Sequence, residues 1–278
     1  MEKKATHSLI KAIHTHYQQL IPRIQHLPPT GSRPLTVQGR VAGWATAKAT
    51  RVLEQQDGVT VLDESVSISD VPEQSLSIDD VLQQCATALQ EAGLLRTWRN
   101  ELLDVIGEGE KLSVIERAAV RPLGMLTKAV HLNAWTADGR MWIARRASNK
   151  TTDPGLWDTL VGGLAGAGES LDTSLLRECD EEAGLSSQNL QERTALRTLL
   201  RMHRRLPEGY QVEDVLSSDC ILDDSITPNN KDGEVSEFQL VSVDELWSML
   251  EQQKFTLEAE LVILDALARH FSASQLHA

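Results

Sequence analysis

Residues 162–185 read GGLAGAGESLDTSLLRECDEEAGL, and this stretch decides how the chain is interpreted. Taken as residues alone it is a loop, a helix and a loop. Glycines at 162, 163, 166 and 168 permit tight turns and close backbone approach. Asp172 or Thr173 is placed to cap a helix that runs to Ala183, and Gly184 ends it. On that helix Glu178, Glu181 and Glu182 stand at i, i+3 and i+4, so the spacing predicts three carboxylates on one side, about a turn apart. Like charges so placed repel, and a cation between them removes the repulsion. Oxygen ligands of this kind select Mg²⁺ or Mn²⁺.

Acidic clusters on helices are commonly solvated faces, so the three glutamates alone do not establish a metal site. The longer spacing is more specific. Gly163, five residues, Glu169, seven residues, Arg177-Glu178, apolar Cys179, one residue, Glu181-Glu182, one residue, Gly184 and Leu185 make up the Nudix box. Seven fixed positions, each filled by a residue type of about 7% abundance, coincide by chance at about 10⁻⁸ per start site. The chain therefore resembles the Nudix hydrolases, which cleave diphosphates linked to another moiety.

That resemblance implies an α+β fold, an α/β/α sandwich with a mixed sheet. It also implies roles for matching positions. Glu178 and Glu182 correspond to principal metal ligands, Glu181 to a further ligand or a base that orients water, and the carbonyl of Gly162 to another metal ligand. Glu169 and Arg177 correspond to an ion pair that fixes the loop within the catalytic assembly. Val161 stands where a proline often precedes the paired glycines. Divalent ions held by such carboxylates neutralise charge on diphosphate oxygens and activate water.

Around the box, WRNELLDV at 98–105, LGMLTKAVHLNAW at 123–135, WIARRASNKTTDPGLWDTLVGG at 142–163 and DGEVSEF at 232–238 are similar to the Nudix group that also forms the N-terminal part of fungal thiamine pyrophosphokinases. This likeness covers roughly residues 30 to 270. It implies a small-molecule diphosphate substrate, with thiamine diphosphate or a damaged form of it as one candidate. Arg145 and Arg146 adjoin on an expected strand, so at most one faces a cleft, and Lys150 lies in a loop where it could meet a phosphate. Glu234 is the candidate base or extra ligand from the region after the box, with Glu237 beside it. His131, His203, Cys179 and the tryptophans at 135, 142 and 157 read as packing residues.

The rest of the chain sets the frame. An amphipathic helix is expected from Ser8 to about Ile24, a strand or hairpin arm from Leu35 to Trp44, an Asp57-Gly58 turn, and a helix capped near Ser77 that ends at Gly93. The charged, glycine-bearing GEGEKL at 107–112 suggests a boundary near 110, giving a small mixed α/β domain over 1–110 and an α+β Nudix domain over 111–278. Asp138-Gly139 signals a two-residue hairpin. Trp44 and Trp98 offer aromatic surface by which the first domain could grip a flat ring.

Composition agrees with this reading. The 278 residues carry 27 Lys and Arg against 40 Asp and Glu, a net charge of −13, which argues against broad binding to nucleic acid or to an anionic membrane. Cys85, Cys179 and Cys220 lie far apart with no CxxC pair, and no apolar leader opens the chain, so a cytoplasmic protein is expected. Two other functions share the frame: an isopentenyl-diphosphate-type isomerase, which would need a cysteine in the cleft, and a non-catalytic Nudix ligand-binding module.

Overall fold

In the computed structural model, residues 2–150, 152–190 and 192–276 are described. The first helix, α1 (Glu2–Ile24), is followed by the hairpin β1 (Arg33–Val37) and β2 (Arg40–Ala45), helix α2 (Ala47–Leu53), strands β3 (Val59–Val61) and β4 (Val66–Ile68), and helix α3 (Ile78–Glu91). The four strands pair in the order β2-β1-β4-β3. Ser77 caps α3 by a reciprocal capping box with Asp80, as the sequence suggests.

A second hairpin, β5 (Leu102–Gly107) and β6 (Glu110–Glu116), follows α3. The GEGEKL segment is the tip of this hairpin, with Glu108 and Gly109 both at positive φ, and it is not a linker. A boundary at 110 would divide the hairpin. Leu103, Val105, Ile115, Val120 and Met125 join Leu35, Ile68, Leu82 and Leu89 in one buried core that also takes in Ala129 and Leu164, so the packing is continuous across residue 110. Helix α1 goes the other way. Its Ile13, Leu20 and Ile24 pack into the core of the C-terminal half.

That half contains β7 (Leu126–Trp135), β8 (Met141–Arg146), β9 (Trp157–Thr159), β10 (Val161–Leu164), α4 (Leu171–Ala183), β11 (Arg197–Leu206), β12 (Gly209–Ile221), β13 (Val235–Val241), α5 (Val243–Glu251) and α6 (Leu257–Leu276). The strands run β11-β12-β7-β8-β13, with β10 on β7 and β9 on β8, and the β12–β7 pairing is parallel in an otherwise antiparallel sheet. Even-numbered β7 residues Val130, Leu132 and Ala134 pack against Leu175, Cys179 and Ala183 of α4. On the opposite face lie Trp135, Met141 and Ile143 with α1, α5 and α6. This is the expected α/β/α sandwich.

Two local expectations change. The β7–β8 connection is a longer loop in which Thr136 N–H bonds to Arg140 O and Gly139 alone adopts positive φ, because the residues before it stay on the ordinary side of the map. The paired glycines lie on strand β10 rather than in a loop, since their backbone pairs with β7 at His131 and Val130. No described helix is long and apolar enough to cross a membrane.

Candidate active site

Helix α4 begins at Ser170, whose hydroxyl accepts from the Thr173 N–H at 3.1 Å, so the cap sits two or three residues ahead of the expected Asp172 or Thr173. Gly184 closes the helix with φ 65°, its N–H reaching Asp180 O. Buried Leu175, Cys179 and Ala183 lock one stripe against the sheet, which turns the neighbouring glutamates toward β10 and the loop after it.

The three glutamates then separate. Glu182 is buried, and its Oε2 accepts the Gly162 N–H at 3.0 Å. The Glu178 carboxylate lies against Gly163 and accepts from Arg177 Nη1 at 2.9 Å. Glu181 is half-exposed and takes a 3.0 Å bond from the same Arg177 nitrogen, so its carboxylate turns away from Glu182. The helical spacing is right, but Arg177 draws Glu181 to its own side.

Arg177 forks onto Glu169 at 3.0 and 3.1 Å and reaches Leu164 O at 3.2 Å. Glu169 also accepts from the Ser174 hydroxyl at 2.7 Å. The arginine's hydrogen bonds, with help from Ser174, bring the Glu169 carboxyl down to about 2, and its carboxylates hold Arg177 firmly charged. With the folded value below the ordinary 4.5, this contribution to stability is complete above about pH 4.5 and is lost as the pH falls toward 2. Glu169→Gln is therefore expected to cost about 1–3 kcal/mol at pH 7. The deficit should shrink as the pH drops through that window in denaturant melts, and parallel pH profiles for parent and variant would refute the assignment.

Glu182, Asp232 and Glu234 each offer an oxygen within 4.8 Å of the others, the candidate cation-binding group among the described residues. Asp232 and Glu234 lie in the DGEVSEF segment, where Glu234 N–H bonds to Asp232 Oδ1 at 2.8 Å. Asp232 is not among the residues that the sequence singles out. Its place as the first residue of the quoted motif was the available signal. Burial pushes Glu182 and Glu178 upward, countered by the Gly162 N–H at the one and by Arg177 at the other. Such carboxylates, gathered at one place and all hard oxygen donors, fit Mg²⁺ or Mn²⁺. Lys150 pairs with Glu234 and stands 3.9 Å from Glu182, with burial pressing its ammonium downward.

The cleft beside these residues is lined by Gly162, Gly163, Glu178, Glu234, Lys150, Arg146 and Asp158 at one end. Arg146 bonds Asp158 at 3.0 Å and Thr152 O at 3.1 Å. Arg145 points outward to Gly155 O and Glu237 and lies over the Trp157 ring. Alternation along β8 thus sends only Arg146 to the cleft. Arg146→Met is expected to raise KM for a diphosphate about tenfold, whereas Arg145→Met stays within about twofold. Steady-state kinetics showing equal effects would sink this division.

Arg99, Arg117 and Arg121 line the same cleft from the chain before β7. They, and not Trp44 or Trp98, are what the N-terminal unit brings to it. Trp98 packs partly buried against the small core with its Nε1–H on Asn100, and Trp44 closes over Gly124.

The model of the NUDIX domain matches residues 125–262, the span that holds this whole carboxylate assembly. Residues 125–262 carry a NUDIX domain. Nudix hydrolase 20, chloroplastic, of Arabidopsis thaliana is 28% identical over 254 residues, covering 85% of this chain and 67% of that protein. Nudix hydrolase 24, chloroplastic, of the same plant is 33% identical over 189 residues, covering 66% of this chain and 51% of that protein. The chain thus spans about half to two thirds of the length of these relatives. A solved Deinococcus radiodurans protein aligns with 22% identity and a TM-score of 0.45 over 58% of this chain and 97% of its own. The likeness to the first Arabidopsis protein extends beyond the Nudix domain into the N-terminal unit, since it covers more of the chain than residues 125–262 supply.

Proposed function

We propose that this protein is a Mg²⁺-dependent diphosphohydrolase of a small organic or nucleoside diphosphate derivative. The observation that carries the reading is the meeting of Glu182 and Asp232 with Glu234, which lines a cleft together with Arg146 and Lys150. A divalent ion bound there would neutralise diphosphate oxygens and lower the pKa of a water. Glu182 would hold it with Asp232 and Glu234, and Glu178 would add its carboxylate from beside Gly163. Arg177 and Glu169 act on the loop and on Glu178, so they are positioning residues. Arg146 and Lys150 would hold the phosphates, with Lys150 moving off Glu234 to do so. Glu181, turned to Arg177, is less well placed as the base than Glu234.

Isomerisation would call on a cleft thiol. All three cysteines are free and buried, burial pushes Cys85 and Cys220 up to about 12, and none lines the cleft. This favours hydrolysis. Thiamine diphosphate or a damaged form of it remains our substrate candidate on the sequence likeness, and three unpaired thiols suit the cytoplasm. The test is phosphate release from a panel including thiamine diphosphate and ADP-ribose, with Mg²⁺ and with chelator. Hydrolysis of none, or hydrolysis that survives excess chelator, would overturn the reading.

A further inference from the structure

The loop that carries Glu169 is held from outside the Nudix domain. Ala165 still belongs to the sheet, its N–H bonding to Lys128 O at 2.9 Å. The next contacts go elsewhere. Ala167 N–H donates to Leu102 O at 2.9 Å, and Gly168 N–H donates to Asp104 Oδ1 at 3.0 Å. Both partners lie on β5, ahead of the residues 125–262 that match the NUDIX domain.

Alternation along β5 explains why this strand can reach the loop. Leu103 and Val105 are buried in the small core, so Leu102 and Asp104 face the other way. Asp104 and Glu169 line one narrow gap between β5 and the loop. Pairing with β6 sets the strand in place, and Lys111 of β6 puts its Nζ 2.7 Å from the same Asp104 oxygen that Gly168 uses. Both side chains of this ion pair are partly exposed, so solvent screens their attraction and the backbone bond is the more specific contact.

From Gly168 a continuous run of bonds leads to the carboxylates. Glu169 is the next residue, and Arg177 forks onto it at 3.0 and 3.1 Å. The same guanidinium holds Glu178 at 2.9 Å. Moving the loop therefore moves Glu169, which shifts Arg177 and with it the Glu178 carboxylate beside Gly163. The loop has little stiffness of its own. Gly166 and Gly168 have more backbone freedom to lose than other residues, so contacts from outside decide where it rests.

We infer that Asp104 is a positioning residue of the carboxylate assembly: β5 of the N-terminal unit latches the loop through Gly168 N–H and so fixes Glu178 by way of Glu169 and Arg177. This rests on the diphosphohydrolase reading and deepens it, because it makes the N-terminal unit part of the support of the site. Asp104 acts through other residues and not on the substrate. Outer partners of this kind typically contribute about 10- to 100-fold to activity or metal affinity. The Ser174 hydroxyl and Gly166 N–H also hold Glu169, which places the expected effect at the lower end.

The test compares the parent with Asp104→Ala, which removes the acceptor, and Asp104→Asn, which drops the charge and keeps an oxygen for Gly168 N–H. Amide hydrogen exchange reads the latch directly. Asp104→Ala is expected to speed exchange at Ala167 and Gly168 about tenfold or more, and to lower kcat about tenfold. KM should stay within about twofold, since Arg146 and Lys150 still hold the phosphates. Asp104→Asn should restore all of these to within about threefold of the parent. Unchanged exchange or unchanged kcat in Asp104→Ala, a KM that rises as far as kcat falls, or an Asn variant no better than the Ala variant would each overturn the inference. So would an unprotected Gly168 amide in the parent, a result that needs no variant to fold. If the parent hydrolyses no diphosphate, the enzyme reading falls and Mn²⁺ titration takes the place of the kinetics. Binding weakened about threefold or more in Asp104→Ala and restored in Asp104→Asn then keeps the positioning role, and equal affinities for the three proteins remove it.

Discussion

Glu182→Gln is expected to lower kcat by about 10²–10⁴-fold while the fold survives. The substitution keeps shape and one carbonyl oxygen, so the 3.0 Å bond from Gly162 N–H can persist. What disappears is the negative charge at the centre of the Glu182, Asp232 and Glu234 group. Charge stabilisation by a bound divalent ion is worth several kcal/mol in a transition state, and about 1.4 kcal/mol is a factor of ten. Stability should move in the opposite direction. Burial already disfavours the ionised carboxylate of Glu182, so a neutral amide removes an unfavourable charge in the metal-free protein. The variant should melt at the same temperature as the parent or higher in chelator, and Mg²⁺ should raise its melting temperature less. Activity within tenfold of the parent would exclude Glu182 as a principal ligand.

A methyl group at residue 163 should be nearly as damaging for a different reason. A Cβ built on Gly163 would lie 2.0 Å from Glu178 Cδ and 2.2 Å from its Oε1, far inside contact distance. The backbone there is not in the left-handed region, so the glycine is needed for space and not for its φ. Glu178 cannot simply swing aside, because Arg177 Nη1 holds it at 2.9 Å while the same guanidinium is forked onto Glu169. Gly163→Ala is expected to cost about 1–3 kcal/mol of stability by overpacking and to cut kcat/KM about 100-fold through the displaced carboxylate. Gly162→Ala supplies the comparison. Its Cβ would meet His131 Nδ1 at 3.0 Å, a contact that a small ring shift relieves. Kinetics and thermal melts of both variants measure the difference, and equal behaviour would mean that Glu178 is freer than the structure shows.

The box residues were legible in sequence because their geometry is local. A helix fixes which side chains share a face within two turns, and Gly184 and the glutamates all lie inside that range. Where the structure differs from the sequence pattern, longer contacts decide. Asp172 and Thr173 could both cap a helix, yet Ser170 takes the position, its hydroxyl accepting from the Thr173 N–H. GEGEKL has the composition of a linker, yet Leu103, Val105 and Ile115 on either side are buried in a common core with the small sheet. Composition cannot distinguish a solvated hairpin tip from a boundary, since both are polar.

The sequence by itself determined the spacing of the box and the acidic face of its helix, because periodicity and fixed spacing act over a few residues, and the resemblance carried by that spacing implied the sandwich and the Arg177–Glu169 pairing. Only the tertiary structure decided that Asp232 joins Glu182, that Arg146 and not Arg145 enters the cleft, that α1 packs with the C-terminal half, and that Arg99, Arg117 and Arg121 close over the site. The physical reason is sequence separation. Glu182 and Asp232 are fifty residues apart, and Gln211 meets Glu258 across forty-seven. Contacts at such range depend on strand order and register, above all on the parallel β12–β7 pairing that lays Gln211 and Glu213 along the same face as His131.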